Sequence, residues 1–249
     1  MIPILFSFGA VHLYSYGLMI ALGVLASIFL MERQALKTSW ISKSIIQDMV
    51  MITIFAGFFG ARLFYVVKFS GEYLANPIRI FAVWEGGLIF YGGLFASLPA
   101  LAFYLRKHKI PFLKGLDFII PYVALTHAFG RIGCFLNGCC HGKQCDLPWA
   151  VSFPEGPYSI HPAQLYEAFG LLIIFLFLVR RFQKHPFQGE IFSFYLMVYG
   201  LLRWIMECFR DNPVFALGWT FNQWISLGIT LAGVGLYFWR KSAAEKHSL

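Results

Sequence analysis

Residues 116–136 read LDFIIPYVALTHAFGRIGCFL, a run apolar throughout its middle with one arginine, Arg131, near its C-terminal end. A helix of this length rises roughly 30 Å, the thickness of the hydrocarbon core of a bilayer, so the run reads as a membrane span. Two other stretches repeat the pattern: 45–67 carries Arg62 and 190–209 carries Arg203, each five or six residues from the same edge. That spacing puts all three guanidinium groups roughly 8–9 Å below one membrane surface. An arginine in hydrocarbon costs about 3 kcal/mol on insertion scales, so three at one depth call for a counter-charge, and an anionic lipid headgroup supplies one.

The rest of the chain has the same character. It is 59% apolar and only 13% charged, far from the balance of a soluble domain. Seven stretches are long enough to span: 13–31, 45–67, 87–104, 116–136, 163–179, 190–209 and 219–238. Residues 1–12 hold no lysine or arginine, so the first stretch reads as a retained helix and not as a cleavable leader. Connections are short, and residues 1–249 read as a single all-α transmembrane domain. Its longest loop, about 137–162, contains Gly138, Gly142, Pro148, Pro154, Gly156 and Pro157 and is expected to be an ordered loop or lid. Connections 32–44, 105–115, 180–189 and 239–249 hold thirteen lysines and arginines, the opposite set only four. The positive-inside rule then predicts an external N-terminus and a cytoplasmic C-terminus. The net charge of +8 is mostly a matter of topology, and its scatter over short loops argues against a nucleic-acid partner.

With that topology, polar groups fall at one level. Stretches two, four and six bring Arg62, Arg131 and Arg203; stretches one, three and five open with Tyr16, Tyr91, and Gln164 with Glu167. His127, Arg131 and Cys134 share one helical face, as do Tyr199, Arg203, Glu207 and Arg210. Four arginines against two carboxylates leave an excess of about two positive charges, which a phosphate would offset. The plainer alternative is that each arginine snorkels to the interface or pairs with a neighbour, as Arg203 and Glu207 could at i, i+4. The glycine pairs 86–87 and 92–93 flank Tyr91 and suit either backbone approach to a ligand or close helix packing.

Cys134, Cys139, Cys140 and Cys145 cluster near the external loop with His141, and Cys208 lies apart. Structural disulfides are the simplest expectation there, although the adjacent Cys139 and Cys140 are poorly placed to join each other. Zinc held by these thiolates with His141 matches no common spacing, and no metal or cofactor is expected. A membrane thiol oxidoreductase would need a Cys-x-x-Cys pair, which is missing. A lipid binder without chemistry would use the same arginines.

The run from Gly130 through Arg131, Gly133, Cys134, Asn137 and Gly138 to Gly142 resembles the signature of the bacterial prolipoprotein diacylglyceryl transferases. Tyr16-Gly17, Gly60-Ala61-Arg62, His161-Pro162, Gln164 to Glu167, and Tyr199-Gly200 leading to Arg203, Glu207 and Arg210 follow in the family's order. The resemblance implies seven helices in the bacterial inner membrane, with an active site facing the outer leaflet. It implies transfer of a diacylglyceryl group from phosphatidylglycerol to the lipobox cysteine of a preprolipoprotein, releasing glycerol phosphate. Arg131, Arg203 and Tyr91 would then be catalytic, with Arg62, Asn137, Glu207, Arg210, Tyr16, His161 and Glu167 binding substrate. Two departures stand out. The family's usual histidine before the 92–93 pair is Tyr91 here, and its usual asparagine and glutamate are Cys134 and Cys139. His141 or His161 could serve as base instead, or a thiol of pKa about 8.5 near arginines could need none. A related phospholipid-dependent transferase with another acceptor also stays open.

Overall fold

The computed structural model describes residues 2–8, 11–38, 40–153, 158–184 and 187–246. Within them the chain is mostly helical, and every stretch predicted to span coincides with a helix. These are α1 (Ser15–Ala35), α2 (Lys43–Lys68), α4 (Phe90–Lys107), α5 (Phe112–Asn137), α6 (Ala163–Phe182), α7 (Glu190–Glu207) and α8 (Phe221–Lys246), with a short α3 (Ser70–Ala75) after α2. Helices α1, α2, α5 and α6 are long and apolar enough to cross a membrane. On α2 the large apolar residues Met51, Phe55, Phe59, Leu63 and Val67 recur every fourth position and are all exposed. Such a stripe, about 24 Å long at the helical rise, suits hydrocarbon and not water.

Three antiparallel hairpins were not foreseen: β1 (Ile4–Phe8) with β2 (Val11–Tyr14), β3 (Val151–Ser152) with β4 (Ser159–Ile160), and β5 (Val214–Ala216) with β6 (Trp219–Thr220). The first moves the start of the expected 13–31 helix to Ser15, whose backbone N–H donates to the Pro3 carbonyl at 2.9 Å. The third hairpin replaces the opening of the expected 219–238 stretch. Pro154, Gly156 and Pro157 of the predicted external loop lie outside the described residues.

The chain divides into two compact units, Met1–Met31 with Leu116–Leu249, and Glu32–Gly115. In the first, Ile120, Ala124 and Ala128 of α5 pack with Leu171, Ile174 and Leu178 of α6 and Ile191 of α7 in a buried apolar core. Helix α1 is fastened to α5 by polar contacts: Ser27 Oγ donates to the Tyr122 carbonyl at 3.0 Å and lies 2.8 Å from Thr126 Oγ1. Asp117 of α5 accepts from the backbone N–H groups of Gly189 and Phe192 at 2.6 and 2.9 Å, capping the start of α7 from a distant helix.

The second unit is built on α2 against α4. Gly60 and Gly92 face each other so closely that a Cβ on Gly92 would stand 2.6 Å from the Gly60 carbonyl oxygen, and one on Gly60 equally close to the Gly92 oxygen. Of the two readings of the 92–93 pair, close helix packing is the one found. Backbone cannot step aside as a side-chain tip can, so Gly92→Val should destabilise this seam by about 3 kcal/mol. The thermal midpoint of the detergent-solubilised protein should fall accordingly.

Candidate functional site

Glu167 sits in the second turn of α6, fully buried, and two arginines from different elements converge on it. Arg131 of α5 places Nη2 at 2.9 Å from Oε1, and Arg210, just beyond α7, places Nη2 at 3.0 Å from Oε2. His127, one turn before Arg131, lies with Nε2 4.0 Å from the same Oε1. The spacing that put His127 and Arg131 on one face thus aims both at a single carboxylate.

Glu207, at the end of α7, has a different duty. Its Oε1 accepts from Asn212 Nδ2 at 2.7 Å, Thr220 Oγ1 at 2.9 Å and Asn222 Nδ2 at 2.9 Å, while Oε2 stands 3.2 Å from Arg203 Nη1. The β5–β6 hairpin and the first turn of α8 therefore hold this carboxylate, and it in turn steadies Arg203. Neither Asn212, Thr220 nor Asn222 was singled out in the sequence, because each is an ordinary polar residue at a turn.

Three guanidinium groups thus meet two carboxylates, leaving one positive charge in the cluster. The Nε groups of both Arg131 and Arg210 are buried and donate to no protein acceptor. Burial, and then the Arg203 charge, hold the Arg210 guanidinium below the usual arginine range. Buried donors without acceptors beside an uncompensated cation are the makings of an anion site.

Arg62 departs from expectation. It lies in the second unit, buried, and each of its five N–H donors has a carbonyl: Nε donates to Ile80 at 2.9 Å, Nη1 to Gly86 at 2.7 and Gly87 at 3.2 Å, Nη2 to Arg79 at 2.6 and Ala82 at 3.3 Å. Tyr73 and Tyr65 flank its Cζ at 5.3 and 5.8 Å. Gly86 and Gly87, both with positive φ, let the chain curl so that these carbonyls point inward. Arg62 is the pin of the 79–87 segment, and no donor is left over for a phosphate. This removes one of the four cations from the expected excess of two. Lysine, with three donors and no planar fork, cannot replace it: Arg62→Lys should cost about 3 kcal/mol and open the segment to protease.

The remaining predicted residues are placed as follows. Tyr16, half-exposed in the first turn of α1, packs on Gly133 of the α5 site face. Tyr91, in the second unit, is exposed at the start of α4. Asn137 ends α5, next to the turn in which the Cys139 thiol donates to the Cys134 carbonyl at 3.7 Å. His161 is buried against Phe209 and Tyr166, with Nδ1 3.3 Å from the Tyr166 hydroxyl, which itself accepts from Trp149 Nε1 at 2.7 Å. His161 thereby works as an anchor of the loop. Among the described residues of that loop, main-chain bonds tie 142–145 down: Gly142 N–H donates to the His161 carbonyl, Lys143 N–H to Phe209, Cys145 N–H to Ser159 and His161 N–H to Lys143, all within 3.0 Å.

All five cysteines are free thiols, so the expected disulfides are not formed. Instead the sulfurs of Cys134, Cys139 and Cys140 lie within 4.8 Å of one another. Hydrogen bonds from the Cys134 thiol, and further from Cys139, with the Arg131 and Arg210 charges beyond, pull the Cys140 thiol down to about 5, whereas burial pushes Cys139 up.

Apolar helices around buried, incompletely compensated arginines define the class: a helical membrane protein with a buried cluster of charged side chains. The match to known sequences makes it specific. The chain belongs to the prolipoprotein diacylglyceryl transferase family, whose model matches residues 3–239. It is 37% identical to the phosphatidylglycerol--prolipoprotein diacylglyceryl transferase of Photobacterium profundum, over 98% of this chain and 95% of that one. The protein of the same name from Clostridium tetani is 33% identical over 94% and 96% of the two chains, and that from Pasteurella multocida 37% over 92% and 86%.

Proposed function

We propose that this chain is a membrane enzyme that transfers the diacylglyceryl group of phosphatidylglycerol to the thiol of a lipobox cysteine in preprolipoproteins. The attacking sulfur forms a bond to the glycerol carbon that carries the phosphate ester. The carbon–oxygen bond breaks, its electron pair stays with the phosphate, and the thiol's proton ends on the departing glycerol phosphate. The name shared by the relatives supports the substrates. The observation that carries the mechanism is the Glu167 bridge: it fixes Arg131 and Arg210, whose buried Nε donors have no protein acceptor, in a cluster with one positive charge in excess, the complement of a phosphodiester.

Arg131 and Arg203 would contact that phosphate and stabilise the charge growing on it as the bond breaks, the step where fixed donors count most. Glu167 and Glu207 would hold the arginines, and Arg210 would support them. Asn137, Tyr16 and His161 would shape the rim, and the assignment of Tyr91 rests on the sequence pattern alone. In the membrane we propose seven spans forming one domain over 1–249 with an external loop at about 137–162, the N-terminus outside and the C-terminus cytoplasmic. The thirteen-to-four distribution of basic residues supports this orientation, and with it a site that would face the outer leaflet of the bacterial inner membrane.

Incubating purified protein with phosphatidylglycerol and a lipobox peptide should add one diacylglyceryl mass to the peptide and release glycerol phosphate. Binding of the lipid with neither product would refute the assignment.

A further inference from the structure

The three sulfurs near Arg131 have no part in the chemistry so far, yet the backbone goes to some length to gather them. Cys134 is in the last turn of α5. Gly138 and Cys140 then both take positive φ, 77° and 62°, and the second of these is a conformation that residues with a Cβ rarely adopt. The turn brings two adjacent side chains back to the sulfur of a residue five positions earlier. It is locked by the Cys139 N–H on the Cys134 carbonyl at 3.1 Å and by Gln164 Nε2 on the Cys139 carbonyl at 2.7 Å. Gln164 is fully buried in the first turn of α6, so the lock comes from the same helix that carries Glu167.

Three thiolates around one zinc, at about 2.3 Å each, stand about 3.8 Å apart, so the observed set needs to close by no more than about an ångström. No other cysteine, histidine, aspartate or glutamate among the described residues joins the group. His141 is turned elsewhere, its ring 5.3 Å from that of Phe153. Three protein ligands and an open fourth position are the pattern of zinc sites that act on substrate, where four closed ligands mark structural ones. Three thiolates and a divalent ion sum to one negative charge, a small residual that the guanidinium groups of Arg131, one turn before Cys134, and of Arg210 are near enough to moderate.

We propose that Cys134, Cys139 and Cys140 hold a thiophilic divalent ion of the zinc type, and that its fourth position takes the acceptor cysteine as a thiolate. The proposal rests on the transferase reading and answers the question raised by Tyr91, which base frees the nucleophile. Coordination releases the thiol proton to solvent. The metal-bound sulfur then attacks the glycerol carbon, the carbon–oxygen bond breaks toward phosphate, and glycerol phosphate takes up a proton from water. The thioether product is neutral and a poor ligand, so it leaves the metal and the site reopens. A free thiol of pKa about 8.5 is only a few per cent ionised at pH 7, so complete ionisation on a metal is worth up to about thirty-fold in rate.

The test uses full-length protein in detergent, reduced and stripped with chelator, then titrated with Co(II) as a spectroscopic substitute and with Zn(II). One equivalent of Co(II) should give a sulfur-to-metal charge-transfer band, lost in Cys139→Ser and in Cys140→Ala and kept in Cys145→Ser. Adding the lipobox peptide should intensify the band, and Zn(II) should restore transfer that chelation had slowed by about thirty-fold. Absence of the band, its survival in both triad variants, or a disulfide within the triad in protein purified without reductant overturns the site. A band indifferent to peptide, with transfer indifferent to chelator, overturns the role in activation. A peptide-responsive band with no transfer from phosphatidylglycerol at any metal content leaves the metal site standing and sinks the transferase reading instead.

Discussion

Arg131→Gln yields a folded protein in which diacylglyceryl transfer is slower by about a thousand-fold or more. The physical ground is the charge balance: with Arg131 gone, two guanidinium groups face two carboxylates, and the net positive charge that seats the phosphodiester disappears. The loss grows along the reaction, because a phosphodiester of charge one becomes a glycerol phosphate carrying a second negative charge, and one preorganised donor to developing charge is commonly worth a factor of about 100 to 1,000. Folding survives because Glu167 keeps Arg210 at 3.0 Å. Turnover with phosphatidylglycerol and a lipobox peptide, beside the melting curve of the same preparation, separates the two effects. A rate within about threefold of the parent refutes the role given to Arg131. Arg131→Lys should recover little, since an ammonium on Glu167 has no second arm to offer the lipid.

Glu167→Gln has the opposite profile, with the fold suffering first. The fully buried carboxylate is the shared partner of Arg131 and Arg210, and without it two cations are left unpaired at close quarters. Breaking a buried pair from one side costs about 3–5 kcal/mol. The double substitution Arg131→Gln with Glu167→Gln removes one of the stranded cations, so its cost should fall short of the sum of the two by more than about 1 kcal/mol. Strict additivity in denaturant unfolding would mean that the Glu167 bridge is not the coupling in the protein. The double variant should be as inactive as Arg131→Gln, which distinguishes regained stability from regained catalysis.

How far such a site can be read before a structure exists is shown by its arginines. Hydropathy located the helices because lipid imposes one solvent on every span, and 3.6-residue spacing put His127 with Arg131, and Arg203 with Glu207, on the correct faces, whereas Arg210 lies past the end of α7 and turns to Glu167 instead. Arg62 looks the same by every one of those measures, in depth, residue type and distance from the helix end. What sets it apart is five carbonyls in a segment 17 to 25 residues away, turned inward by the positive φ of Gly86 and Gly87. Carbonyls belong to every residue, so no pattern of side chains announces them. The cysteines failed to declare themselves for a related reason. Their spacing in the chain fits no familiar metal motif, and only the left-handed turn at Gly138 and Cys140 makes neighbours of Cys134 and the adjacent pair. The hairpins escaped because strands of two to five residues carry too little alternation to stand out in a chain that is apolar nearly everywhere.

Segment 142–145 is sewn to Ser159, His161 and Phe209 by peptide groups, and exposed side chains such as that of Asp146 do none of the sewing. With the proposed orientation, a clickable amino acid at 146 would present a dye to the cell exterior while the stitching beneath it stayed intact. Living cells could then be stained for this enzyme, and inhibitor occupancy followed by quenching, without fusing a bulky tag to either end of the chain.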